Sequence, residues 1–369
     1  MGTYILKRLL LIIPTLFLIL LINFMMIQLA PGGPVEQAIQ QAQNFQGVGN
    51  TSHAETAGHS SEYQGARGLS DEMVEKIKAQ YGFDKSAPER FWIMLKGYLT
   101  LDFGISFFKD KPVTQLLWEK MPVTVSLGLW STLLIYLVSI PLGIKKARQH
   151  GTLFDKSTSL LLAVGYAVPT FVFGVLLIVF FAGGSYFQWF PLQGLVSENF
   201  QELSLLGKIK DYFWHMALPL FTMILGGFAG LTYLTKYSFM EELSKQYVLA
   251  ARAKGLSENR VLYGHVFRNA MLIVIAGLPE ALIGIFFVGN LFIEIIFNLD
   301  GLGLMGFEAI VQRDYPVIFG TLFLFTLLGL ILRLISDVLY QIIDPRINFD
   351  SRGQNNVSIN AGTPSTFYP

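Results

Sequence analysis

The sequence predicts an all-α integral membrane protein with six transmembrane helices. Of its 369 residues 52% are hydrophobic and only 14% are charged, whereas a soluble domain normally carries about 25% charged residues. Six segments are mainly apolar and about 20 residues long, which is the length that a helix needs to cross a bilayer. The chain has no cysteine, which excludes disulfides, thiolate catalysis and zinc held by cysteine.

The six predicted spans differ in their content of helix breakers. They are residues 9–30, 123–144, 157–182, 214–235, 271–293 and 316–340. The fourth is the weakest because it contains Pro219 and three glycines, so we expect it to bend and to pack closely against its neighbours. The first is longer than the apolar core of a signal peptide, and we interpret it as an uncleaved helix.

Charged residues in the connecting segments predict the orientation. Four basic residues and one acidic residue separate spans two and three, and residues 236–270 hold six basic and three acidic residues. Cytoplasmic loops carry such an excess of lysine and arginine, so we place both segments and both termini in the cytoplasm. The loops at residues 31–120, 183–213 and 294–315 then face outward.

The outward segment at residues 31–120 has two parts. Residues 36–69 are rich in Gln, Gly, Ser and Ala, which predicts a mobile loop. Residues 70–120 are predicted to be helical, starting at the N-cap Ser70, and the six aromatic side chains from Phe91 to Phe108 are expected on the bilayer surface. The polar tail at residues 342–369 is predicted to be mostly disordered.

No catalytic or nucleotide-binding motif occurs in the sequence. There is no phosphate loop for ATP, no His-Glu-x-x-His and no Gly-x-Ser-x-Gly. The five histidines lie far apart without ligand spacing, and His53 and His59 fit an ordinary polar linker better than a metal site. We therefore expect a transport protein that is not an enzyme and that binds no metal or cofactor of its own.

The basic segment at residues 236–270 is predicted to form two helices joined by a glycine corner. Residues 240–254 contain no Gly or Pro, and their acidic start and basic end suit the helix dipole. Gly255 can adopt the left-handed conformation that ends a helix, and Ser257 can cap a second helix over residues 258–270. These residues alone leave two contacts open, namely anionic lipid and a soluble partner.

The same segment resembles a known family. Its string AARAKGLSENRVLYGHVFRNA is similar to the cytoplasmic coupling loop of ABC-importer permeases, and more narrowly of the B-type permeases of oligopeptide and dipeptide importers. The strings YILKRLLLIIPTLFLI, LAPGGP, YGFDKSAPERFWIMLKGYLTLDFGISF, GLGLMGFEAIVQRDYPVIFG and DPRINF resemble further family signatures in the same order. The insert at residues 36–69 and the phrase FFAGGSYFQWFPLQGLVS most resemble the Yej-type branch, which imports peptides and microcin C.

The resemblance implies the type I ABC importer permease fold, with a five-helix core at residues 121–341 and an extra N-terminal helix at residues 1–30. It also implies a coupling helix that fits a groove on a cytoplasmic ATPase. The coupling residues would be Ala250, Ala251, Arg252, Lys254, Gly255 and Leu256. Further implied partners are a second, homologous permease and a periplasmic peptide-binding protein, in the bacterial inner membrane, with ATP used by the partner ATPase.

Three positions depart from the family pattern. Leu249 stands where many relatives have Glu, and Ile273 and Asp300 stand where many have proline. The alternative function is a stand-alone secondary transporter or channel for small polar solutes, which six spans with internal ionisable residues also allow.

Polar residues inside the spans are candidates for function, because a charge there is costly unless it is paired or used. Glu280, Asn290 and Glu294 are candidates for the translocation path or gate. Arg333 and Asp337 are four residues apart on one face of span six and are predicted to form a structural ion pair.

Overall fold

The computed structural model describes residues 2–29, 84–184, 186–287 and 290–343, which are mostly helical. Within these ranges no β-strand occurs beyond one isolated bridge between Ile105 and Pro112, so the all-α prediction is confirmed. The predicted mobile loop at 36–69, the helix that starts at Ser70 and the polar tail lie outside the described residues.

The helices follow one another along the chain with short connections. They are α1 (Gly2–Leu29), α2 (Ala87–Leu99), α3 (Val113–Arg148), α4 (Leu153–Ala167), α5 (Thr170–Phe181), α6 (Leu205–Leu243), α7 (Gln246–Ala253), α8 (Glu258–Val261), α9 (Phe267–Ala276), α10 (Leu278–Phe287), α11 (Asn290–Ile296), α12 (Leu302–Gln312) and α13 (Tyr315–Ile343). A π-helical turn, Leu262–Val266, joins α8 to α9. In the described part, five helical segments are long and apolar enough to cross a membrane, and α4 with α5 makes a sixth if that pair is one span.

The predicted third span, residues 157–182, is broken in the middle. Helix α4 ends at Ala167, α5 starts at Thr170, and the two are bent by 93°. The break falls at Val168, whose backbone is extended, and at Pro169. Proline lacks an N–H and disfavours helical backbone in the residue before it, which explains why the apolar run does not form one continuous helix.

The predicted fourth span is part of a 39-residue helix, α6, that continues through Pro219 without interruption. The expected close packing is confirmed at two of its three glycines. A Cβ added at Gly227 would lie 3.0 Å from Ile135 Cγ1, and one at Gly226 would lie 3.3 Å from Thr170 Oγ1, but Gly230 has no atom within 4 Å of that position.

The chain divides into two compact units. The first comprises Met1–Ile12, Met121–Leu304 and Leu328–Pro369, and the second comprises Ile13–Lys120 and Met305–Leu327. The first unit therefore contains the basic segment after α6 and all of the predicted site residues.

Aromatic packing forms the centre of the second unit. Tyr98 and Phe103 lie 4.9 Å apart in a T-shaped arrangement, and both rings pack on Phe323. Both side chains are buried, so the prediction that the aromatic set lies on the bilayer surface is wrong for these two. Their rings are large apolar surfaces, and burial against a third ring stabilises them more than exposure would. Trp92 does remain exposed.

Candidate coupling site and membrane cavity

The basic segment after α6 forms a separate short helix rather than a continuation of α6. The predicted uninterrupted helix over residues 240–254 is wrong, because Lys245 has extended backbone with φ −75° and ψ 151°. Side chains hold this break in place. The Lys245 ammonium pairs with Glu242, and the Tyr247 hydroxyl donates to Glu242 Oε2 at 2.7 Å. Burial, followed by the hydrogen bond to Glu242, raises the pKa of Tyr247, so its hydroxyl remains a hydrogen-bond donor over a wider pH range.

The predicted glycine corner is confirmed. Gly255 has φ +80°, and its N–H donates to the carbonyl of Arg252 at 2.9 Å as α7 ends. No atom lies within 4 Å of a Cβ added there, so the demand for glycine comes from the backbone conformation and not from lack of space. Ser257 stands at the N-cap of α8 as predicted, but its side chain makes no capping hydrogen bond.

One face of α7 is anchored in the core of the first unit. Val248 and Ala251 are buried in an apolar cluster. The other fully or nearly buried members of that cluster are Ile144, Ala147, Phe239, Val261, Leu262, Val266, Ala270, Met271 and Val274. The Ser238 hydroxyl also donates to the carbonyl of Ala270 at 2.7 Å. Helix α7 is therefore tied to both membrane-crossing helices that flank it.

The opposite face of α7 is open. Leu249 is 58% exposed, and Ala250, Arg252, Lys254 and Gly255 are also exposed. An exposed alanine lets another surface approach the helix closely, and the exposed leucine adds an apolar contact. Four of the six predicted coupling residues thus lie on an accessible face.

The other two predicted coupling residues face inward. Ala251 is 7% exposed, and Leu256 packs against the apolar cluster. The exposed Arg252 forms a two-pronged ion pair with Glu258 across the glycine corner, with N–O distances of 2.9 and 3.1 Å. This pair links the end of α7 to the start of α8.

A buried ion cluster, which the sequence analysis did not find, links three helices near this segment. Asp155 at the start of α4 accepts from Lys236 Nζ of α6 at 2.8 Å with both carboxylate oxygens. It also lies 3.0 Å from Lys146 Nζ at the end of α3. The Lys146 side chain is 0% exposed and donates to the hydroxyls of Thr158 and Ser159 at 2.7 and 2.8 Å. A buried lysine needs such partners.

The sequence offered little signal for this cluster. Lys146 belongs to a run of basic residues that fits a solvated cytoplasmic loop equally well. Asp155 and Lys236 are separated by 81 residues, so no local spacing reveals their contact. Some of the basic residues that predicted the orientation, namely Lys146 and Lys236, therefore also hold helices together through Asp155.

Glu294 is a buried acid that stabilises a turn. Its side chain is fully buried. It accepts from the Thr124 hydroxyl at 2.8 Å and from the Leu304 N–H at 2.8 Å. The same Thr124 oxygen accepts from the Leu302 N–H at 2.9 Å. Glu294 and Thr124 therefore fix the turn that precedes α12 against α3, and the turn is closed by Gly301, where no side chain would fit.

Glu280 lines a cavity in the first unit. The cavity has a volume of about 650 Å³ and is walled by α3, the break between α4 and α5, α6 and α10. Glu280 lies in the first turn of α10 and is exposed. The structure thus separates the acidic candidates, with Glu280 at a cavity and Glu294 in a buried turn. The side chain of the third candidate, Asn290, lies outside the described residues.

The predicted ion pair within α13 is replaced by another. Asp337 Oδ2 lies 3.3 Å from Arg8 Nη2 of α1, and no Arg333–Asp337 pair occurs in the part of the chain that the structure describes. Arg333 is exposed. An arginine from a neighbouring helix can approach the carboxylate directly, whereas an i, i+4 pair on one helix is worth only about 0.2–0.5 kcal/mol.

A bundle of apolar spans, a cavity among them and a basic helix with a glycine corner at one end define a multi-pass transport subunit. The chain belongs to the family described as the binding-protein-dependent transport system inner membrane component, whose family model matches residues 139–349. It is an inner-membrane permease of the ABC-importer class with an extra N-terminal helix, and the predicted resemblance is confirmed.

Individual relatives agree with this assignment. The chain is 54% identical to the inner membrane ABC transporter permease protein YejB of Escherichia coli O157:H7 and 53% identical to the peptidoglycan transport system permease protein YejB of Agrobacterium fabrum. It is 32% identical to the oligopeptide transport system permease protein AppB of Bacillus subtilis. Each match covers 95% of this chain and 100% of the relative.

Among solved structures, a chain of the inward-facing MetNI methionine ABC transporter matches with a TM-score of 0.47 and 14% identity. The match covers 62% of this chain and 97% of that one. The family assignment does not depend on this likeness.

Proposed function

We propose that this permease forms half of the path through which an ATP-driven importer moves short peptides across the inner membrane. The names of the relatives supply the substrate class, since they specify oligopeptide and peptidoglycan transport. Peptidoglycan contains short peptides, so a short peptide is the chemistry common to both names. The chain belongs to the family whose systems depend on a binding protein, which supports a periplasmic peptide-binding protein as the donor of the substrate.

The observation that carries this proposal is the construction of α7. Its inner face is locked to α6 and α9 through buried Val248 and Ala251, whereas Leu249, Ala250 and Lys254 present an accessible outer face. A helix anchored in this way transmits a force applied to its outer face to the membrane-crossing helices. We propose that this force comes from a cytoplasmic ATPase, a separate chain that binds and hydrolyses ATP.

The remaining partners follow from the same scheme. A second, homologous permease supplies the other half of the path, and the excess of basic residues after α3 and α6 supports cytoplasmic termini. The permease itself then uses no cofactor, and closure of the ATPase pair switches the access of the path from one side of the membrane to the other.

The test replaces Gly255 with valine. A non-glycine residue in the left-handed region costs about 1–2 kcal/mol, and a β-branched side chain there would move the end of α7 relative to α8. We expect the variant to insert and to assemble with the ATPase, but peptide uptake should fall strongly while ATP hydrolysis continues.

The matched control is Gly104→Val. Gly104 has φ +81° and no atom within 4 Å of an added Cβ, so valine there meets the same positive-φ restriction as at Gly255, but Gly104 lies outside the coupling segment. Uptake should therefore survive in the Gly104 variant. Normal uptake by the Gly255 variant, with contact to the ATPase intact, would contradict the proposed coupling role.

A further inference from the structure

We propose that Glu280 receives the α-ammonium group of the transported peptide, and that neutral hydroxyl groups around it bind the peptide backbone. This inference rests on the proposed function, because it names the part of the substrate that the membrane cavity recognises. It concerns the cavity walled by α3, α6, α10 and the break between α4 and α5.

The cavity wall has one acidic residue. Glu280 is the only Asp, Glu, Lys, Arg or His among the described lining residues. The other polar side chains on its wall carry neutral hydroxyls, which belong to Ser131, Thr132, Tyr136, Tyr166 and Thr170. The Ser131 hydroxyl already donates to the carbonyl of Gly128 at 3.1 Å, so the candidates for binding a peptide are among the others. A single carboxylate surrounded by uncharged donors and acceptors is suited to a ligand with one cationic end and a polar, neutral body.

Glu280 has no hydrogen-bonding or ionic partner among the residues that the structure describes. Asp155, by contrast, has two lysines, and Glu294 has a hydroxyl and a backbone N–H. It belongs to Glu258–Ile285, a segment apolar enough to cross the membrane. Acidic residues in such segments face the bundle interior or a cavity and mark substrate or ion pathways.

The dimensions of the cavity fit a short peptide. Its volume of about 650 Å³ lies in the range of about 300–1,000 Å³ that is typical of ligand sites. Five lining residues are glycines, namely Gly128, Gly226, Gly227, Gly277 and Gly284, which add no side-chain volume to the cavity wall. Every peptide has an amide backbone, and an unmodified one has an α-ammonium group. Such a site would therefore select the class of substrate and tolerate different side chains.

The test compares two probes that differ only at the amino terminus, trialanine and N-acetyl-trialanine. Their binding is measured on the complete transporter, purified with its second permease and ATPase, for the wild type and for Glu280→Gln, Glu280→Asp and Glu202→Gln. Glu202 is an exposed acid in a short helical turn outside the cavity and serves as the control. Thermal unfolding of each variant shows whether it has folded.

The wild type should bind trialanine more tightly than the acetylated peptide. Glu280→Gln should weaken trialanine binding about tenfold, because a hydrogen bond to a charged group is lost, and should leave acetylated binding unchanged. Glu280→Asp should keep part of the preference, and Glu202→Gln should keep all of it. Equal weakening of both probes, no weakening, or no preference in the wild type would overturn the inference.

Failure of the proposed function gives a different result. ATP-dependent uptake of trialanine is measured with the same wild-type transporter reconstituted in proteoliposomes and supplied with the periplasmic peptide-binding protein. Absence of that uptake would contradict peptide import itself, whereas normal uptake with an unchanged ratio of affinities in Glu280→Gln would contradict only the role of Glu280.

Discussion

The buried turn before α12 allows a quantitative prediction at Gly301. A Cβ added there would lie 2.6 Å from Glu294 Oε2, well inside van der Waals contact, so Gly301→Ala must displace the carboxylate. Displacement breaks the hydrogen bonds that Glu294 accepts from Thr124 and Leu304, both 2.8 Å long. A hydrogen bond contributes about 0.5–1.5 kcal/mol net to stability. Loss of both therefore predicts a decrease of about 1–3 kcal/mol in the free energy of unfolding.

The assay is thermal unfolding of the purified permease in one detergent, followed by circular dichroism at the helical bands. Gly306→Ala is the matched control, because Gly306 lies in α12 and has no atom within 4 Å of an added Cβ. An alanine in a helix is favoured over glycine by about 0.5–1 kcal/mol, so the control should be as stable as the wild type or slightly more stable. Equal midpoints for the two variants would refute the assignment of Glu294 as the fixed point of this turn.

Two further substitutions test the interior of the first unit. Asp155→Asn leaves two buried lysines without their carboxylate and should destabilise the permease by about 3–5 kcal/mol. The control Asp110→Asn changes an exposed residue and should leave stability unchanged. Similar unfolding midpoints for the two variants would contradict the ion cluster. Gly227→Val should disrupt packing against Ile135 and lower the unfolding midpoint. Gly230→Val should have a much smaller effect, because the space around Gly230 is open. A larger loss of stability in the Gly230 variant than in the Gly227 variant would contradict the packing of α6 on α3.

Local sequence signals predicted the helices and the glycine corner. Apolar length fixed the presence of the spans, and Gly255 marked the end of α7 because only glycine adopts φ near +80° without strain. Pro169 is also a local signal for the break between α4 and α5. Because the residues on both sides of it are apolar, the segment was predicted as one continuous span.

Contacts between distant segments were not predictable in this way. The carboxylate of Asp155 forms ion pairs with Lys146, which precedes it, and with Lys236, which lies 81 residues after it. Asp337 pairs with Arg8, although Arg333 is nearer in sequence. The chain breaks at Lys245, whose ammonium pairs with Glu242, in a stretch where helix propensity favours continuity. Likewise, Glu280 and Glu294 both follow apolar residues in the sequence. Only the three-dimensional packing shows that Glu280 lines a cavity and that Glu294 is buried.

The most direct test of the central claim is peptide uptake into proteoliposomes that contain this permease with its second permease and ATPase, supplied with the peptide-binding protein on the periplasmic side. We predict that uptake requires the ATPase and ATP together, and that Gly255→Val strongly reduces uptake while ATP is still hydrolysed. Uptake by this chain alone, driven by an ion gradient without ATP, would contradict the account and would establish a stand-alone secondary transporter instead.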